Sequence, residues 1–98
     1  MKKFTTSAQK TLSLSKEVIL QRLETEMSRD SKLIFKETNK ENIKEAKLID
    51  GSVLVIASFD KEDGKTLAMI DFKDVPEEFD RQKIQKHLRN RLDKIFLL

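Results

Sequence analysis

The sequence predicts an α+β fold, an antiparallel five-stranded sheet packed on a long C-terminal helix, in the order β-α-β-β-β-β-α. Three observations carry this expectation. Phe4–Leu14 alternates with period two, and Val53–Phe59 is a strongly β-prone apolar run. Apolar residues recur at helical spacing in Ile19–Met27 and Ile84–Ile95. Between the strand-like runs, Asp50-Gly51 and Asp60 to Gly64 read as hairpin turns.

The elements follow in order. In the first strand Phe4, Thr6, Ala8, Leu12 and Leu14 share one face, while Thr5, Ser7, Gln9, Thr11 and Ser13 take the other. Lys10 interrupts the apolar face, which predicts a bulge or a snorkelling side chain there. Ser15 is placed to cap a helix, with Glu17 favourable in its first turn and Ile19, Leu20, Leu23 and Met27 as its buried stripe. Ser28 to Ser31 ends that helix. Lys32 to Thr38 reads as a second strand, with Leu33 and Phe35 facing opposite to Ile34. Ile43 to Ile49 reads as a third, polar one. Val53 to Phe59 is the fourth and Lys65 to Lys73 the fifth. Asp74-Val75-Pro76-Glu77-Glu78 reads as the start of the last helix, with proline and two acids in the first turn. Ile84, Leu88, Leu92 and Ile95 form that helix's apolar stripe, and Leu88 is expected to pack against Val55.

Register follows from the turn. A two-residue Asp50-Gly51 hairpin pairs Leu48 with Val53 and Ala46 with Val55. Pairing Val53 with Phe72 and Val55 with Ile70 then makes one apolar face of Val53, Val55, Ala57, Phe59, Ala68, Ile70 and Phe72. A one-residue slip mixes Asp71 into it. Leu54, Ile56, Leu67 and Met69 fall on the other side.

Composition bounds the function. Ninety-eight residues suit one domain, spanning 1–98. The chain has no cysteine, which removes disulfides, thiolate metal sites and thiol nucleophiles. The basic start Met1-Lys2-Lys3 runs into Phe4-Thr5-Thr6-Ser7 rather than an apolar stretch, so no signal peptide is expected. Val53 to Ala57, the longest apolar run, is too short to span a bilayer. A cytoplasmic location without membrane association is therefore expected. The net charge of +3 permits an anionic partner without requiring one.

Two stretches carry a family resemblance. One is Leu14-Ser15-Lys16-Glu17-Val18-Ile19, continuing to Leu23. The other runs from Gly51 through Asp63-Gly64-Lys65-Thr66 to Leu92-Asp93-Lys94-Ile95. Together with the element order they resemble a short member of the START-like (helix-grip) superfamily, near its polyketide cyclase and Hsp90-ATPase-activator-like branch. Typical members carry a tryptophan in the last helix, a second short helix and two more central strands, none of which is found here. The resemblance implies a minimal helix-grip domain that binds a ligand between the sheet and the last helix. On this expectation the cleft is small and lined by Val55, Ala57, Ala68, Ile70, Ile84, His87, Leu88 and Arg91. Arg91 then favours a carboxylate-bearing ligand over a neutral apolar one.

Other readings of single residues stay open. His87, the one histidine, sits at the edge of the last helix's apolar arc, as a ligand contact or a boundary residue. Arg91 within that arc must snorkel, pair with a carboxylate or meet an anionic ligand. Leu54, Ile56, Leu67 and Met69 are either an interface for a second copy or a protein partner, or a surface covered by the first helix or a chain end. The basic residues of the last helix allow weak, non-specific nucleic-acid binding, but no aromatic residue interleaves with them. Asp60 to Gly64 lacks the ligand spacing of a calcium loop, and no metal site or cofactor is implied. The leading expectation is a non-enzymatic binding or interaction module, because one histidine and no cysteine offer little to catalysis.

Overall fold

A computed structural model describes residues 2–97, leaving Met1 of the basic start and Leu98 outside. Its elements are β1 (Lys3–Leu12), α1 (Lys16–Ser31), β2 (Lys36–Glu37), β3 (Ile43–Lys47), β4 (Val53–Asp60), β5 (Thr66–Pro76) and α2 (Arg81–Ile95). They form one five-stranded sheet in the order β1-β5-β4-β3-β2 with every pairing antiparallel. This is the α+β architecture and element order that the sequence predicts.

Both helices lie on the same face of the sheet. α1 starts where the Ser15 Oγ accepts a hydrogen bond from the Val18 N–H at 3.3 Å. It buries Ile19, Leu20, Leu23 and Met27, and it ends where Lys32 turns into the left-handed region at φ 54°. α2 buries Leu88, Leu92 and Ile95, and the fully buried Phe96 extends its stripe into the C-cap. These side chains meet Ala8 and Leu12 of β1, Ala46 of β3, Leu54 and Ile56 of β4, and Ala68 and Ile70 of β5. A polar side chain also belongs to this inner face: buried Ser58 donates its hydroxyl to the Lys16 carbonyl at 2.7 Å, tying the first turn of α1 to β4.

The register differs from expectation by one residue, and the turn explains why. Leu48 N–H donates to the Ser52 carbonyl and Gly51 N–H to the Leu48 carbonyl, so Ile49-Asp50-Gly51 is a three-residue loop. Gly51 alone has positive φ there, at 92°. This is a turn ending in a left-handed glycine bulge, not the two-residue turn with two positive φ values. Asp50 Oδ1 accepts from both the Ser52 N–H and hydroxyl, which stabilises the loop and holds the Asp50 carboxyl below its ordinary pKa. The extra loop residue pairs Ala46 with Leu54 and Lys47 with Val53. Across the next hairpin, Leu54 faces Phe72, Val55 faces Asp71 and Ile56 faces Ile70.

Because strand side chains alternate, that shift turns β4 over. Leu54 and Ile56, expected outside, point into the core. Val53, Val55, Ala57 and Phe59, expected inside, lie on the face that carries no helix, with Leu67, Met69 and Asp71. Leu88 accordingly packs in the core with Leu54 and Ile56, not against Val55.

Other boundaries move for local reasons. β2 pairs only through Lys36 and Glu37, because Phe35 is buried in the core and leaves the ladder. The expected alternation still holds, with Ile34 exposed between half-buried Leu33 and buried Phe35. β3 stops at Lys47, since Leu48 closes the hairpin. β5 continues to Pro76, which pairs with Lys3. The missing proline N–H falls where β4 has already ended, so no ladder bond is lost. The helix therefore begins later, with Asp80 Oδ1 accepting from Gln82 and Lys83 N–H. The strand irregularity lies between Phe4 and Thr6, opposite an extra β5 residue near Asp74 at φ 54°, rather than at Lys10. Lys10 instead reaches Asp93 of α2 at 3.0 Å.

The register has a direct test. Ile56→Ala and Leu88→Ala should each cost about 2–5 kcal/mol, whereas Val53→Ala should cost markedly less. Denaturant unfolding midpoints measure this. A Val53→Ala loss equal to that of Ile56→Ala would restore the other register.

Candidate functional site

The inner face leaves its core unfinished at one end. There the last turn of α1, the first half of α2 and the strands enclose a cleft of about 360 Å³, open on one side. Met27 and Ser31 come from α1, Leu33 from the following segment, Leu48 from the β3–β4 turn, Leu54 from β4 and Phe72 from β5. Lys83, Ile84, His87 and Leu88 come from α2. The cause lies in where elements end. α1 stops at Ser31, and Lys32 diverts the chain before the helix covers Leu48 and Phe72. Five half-buried hydrophobic residues border the core, and four of them, Leu33, Leu48, Phe72 and Ile84, line this cleft.

Seven of the ten lining residues are apolar, and the three polar ones all belong to the helices. Lys83 and His87 stand one turn apart on α2, beside the apolar pair Ile84 and Leu88. Among the described residues neither Lys83 nor His87 forms an ion pair, and no acidic side chain lines the cleft. Two other depressions, of about 450 and 910 Å³, are lined mainly by charged and polar residues of the β2–β3 region. Such side chains are solvated without a ligand, so the smaller apolar cleft is the better candidate.

The expected site residues separate in four directions. Ile84, His87 and Leu88 line the cleft. Ala68 and Ile70 face the helices but are fully buried beneath them. Val55 and Ala57 lie on the opposite face, a correction that follows from the register. Arg91 is not among the lining residues. It pairs with Asp30 at the end of α1, its side chain only 15% exposed, so the carboxylate reading of this arginine holds. Of the four expected interface residues, Leu54 floors the cleft, Ile56 is core, and only Leu67 and Met69 occupy the bare face. Sequence reasoning missed Met27, Ser31, Leu33, Leu48, Phe72 and Lys83. The one available signal was Met27 and Ser31 following each other by one turn at the end of α1.

The basic face of α2 is partly engaged within the molecule. Arg81 stacks 5.9 Å over the Phe4 ring and donates to the Thr5 carbonyl, Arg91 holds Asp30, and Asp93 holds Lys10. On the bare sheet face, Gln9 donates to the Met69 sulfur at 3.7 Å across the β1–β5 pair. Phe59 remains 38% exposed. Burial among these strands raises the Asp71 carboxyl above its ordinary pKa, against the opposing effects of Lys73 and Ser7.

The raised value means that the folded chain holds the Asp71 proton more tightly than the unfolded chain. Its contribution favours folding at low pH and is lost as pH rises through the folded pKa. Asp71→Asn should therefore raise stability at neutral pH, and the gain should fade as pH falls through the carboxylate range. Unfolding midpoints at neutral and acid pH measure it. A loss of stability at neutral pH would show that pairing with Ser7 and Lys73 outweighs burial.

Comparison of the chain with protein-family models, with curated proteins and with solved structures found no match.

Proposed function

We propose that this protein is a non-enzymatic binding module of the START-like, helix-grip kind, taking a small apolar ligand between its helices and its sheet. The observation that carries the reading is the unfinished core: four half-buried hydrophobic side chains converge on one cleft instead of scattering over the surface. At about 360 Å³ the cleft falls at the low end of the usual range for ligand sites. The topology supports the same reading, since β1 lies beside the last strand and α2 crosses the sheet after it.

A second reading rests on a separate observation. Phe59, Leu67 and Met69 sit together around buried Ala57 on the bare sheet face, an apolar patch that suits a second copy or a protein partner. Sedimentation at rising protein concentration distinguishes a homodimer from a monomer. The nucleic-acid reading draws less support, because Arg81 and Arg91 already have partners inside the molecule.

The leading reading is tested by NMR titration with decan-1-ol. Resonances of Leu54, Phe72, Ile84 and Leu88 should shift together and saturate. Ile84→Trp, at a half-buried position facing the cleft, should fill the space and abolish the response while the fold persists. Shifts confined to the bare sheet face, or no shifts, would overturn the assignment.

A further inference from the structure

Resting on the reading of the cleft as a ligand site, we infer that its ligand is a short-chain amphiphile with a carboxylate head group, which Lys83 and His87 receive. Three features of the cleft lead to this. Its floor, made of Leu48, Leu54 and Phe72, is wholly apolar, so the sheet side accepts only hydrocarbon. Its polar groups are confined to the helical rim, so a bound molecule has one end for a polar group. At that rim Lys83 and His87 lie four residues apart on one side of α2, a rise of about 6 Å, so that a two-oxygen group is within reach of both side chains.

Charge decides the sign of the head group. The Lys83 ammonium has no carboxylate partner among the described residues, and no acidic residue lines the cleft to receive a cationic ligand. Asp30, at the same end of α1, is already held by Arg91. Arg91 is thereby removed as an anion receptor, and the role passes to the exposed pair one and two turns earlier on α2. The volume sets the length. About 360 Å³ holds roughly a dozen water-sized groups, which matches a ten-carbon chain with its carboxylate.

The experiment compares decanoate with decan-1-ol by calorimetry or NMR titration. Decanoate should bind the unaltered chain about tenfold more tightly, the order expected of one charge-assisted contact at a partly exposed rim. Lys83→Met should remove most of the preference for decanoate over decan-1-ol, with His87→Gln removing a smaller part. Lys86→Met, which deletes the same charge outside the cleft, should leave the preference intact. All three positions are exposed, so the fold is not at risk. Equal affinities for the two probes, a preference that survives Lys83→Met with His87→Gln, or an equal loss in Lys86→Met would overturn the head-group assignment. If decan-1-ol binds without a decanoate preference, the cleft reading stands and only this inference fails. If neither probe binds, both fail.

Discussion

The left-handed backbone of Gly51 is the constraint on which the rest of the architecture depends. It closes the β3–β4 hairpin with three residues instead of two. A ladder of period two converts that single residue into a choice between faces for every side chain of β4. With this turn, Leu54, Ile56 and Ser58 meet the helices. One residue fewer would bring Val53, Val55, Ala57 and Phe59 there instead. The floor of the cleft, the anchor of α1 on Ser58 and the apolar centre of the bare face all follow. The β4–β5 hairpin uses the same device: Gly64 stands at φ 78°, and Asp63 accepts from the Lys65 N–H at 3.1 Å. A side chain at Gly51 would find space around it, so the requirement there is one of backbone conformation rather than room.

Around the apolar core runs a set of polar ties between elements. Lys10 reaches Asp93, Lys44 reaches Glu24 at 2.5 Å, and Arg91 reaches Asp30. Ser58 holds the Lys16 carbonyl. An exposed pair such as Lys10–Asp93 contributes about 0–1 kcal/mol, so its main effect is to set where α2 sits over the sheet. Between α1 and α2 the one ion pair among the described residues is Arg91–Asp30, and none crosses the cleft.

Much of this was legible in the residues. The stripes Ile19–Leu23–Met27 and Leu88–Leu92–Ile95 and the Ser15 cap are local patterns, and local patterns survive folding. The β4 face was not legible from periodicity. Val53 to Ala57 is apolar on both sides, so it fits either orientation equally, and only the turn geometry chooses. Asp71 misled for a related reason. A carboxylate was assumed to be excluded from the packed face, and it is, but that face lies opposite the one assigned to Val55. For the cleft, the α2 contribution of Ile84, His87 and Leu88 could be read from one helix. Met27, Leu33, Leu48 and Phe72 join it only because both helices lie on one face of the sheet, a tertiary fact that no single segment carries. The fate of Arg91 likewise depended on a partner 61 residues away.

The pairing of β1 with β5 has a consequence for how the chain reaches its structure. Gln9 meets Met69 across 60 residues of intervening chain, whereas β3, β4 and β5 close through short loops. The meander can form from local contacts, but the first strand has no neighbour until the last strand has been made. Contacts of such long separation slow folding, because loop closure is completed before the pairing rewards it. On a ribosome β1 would leave the exit tunnel first and join the sheet last. Through that interval its threonine- and serine-rich edge stays in solution, and those hydroxylated side chains suit a strand that must wait without aggregating.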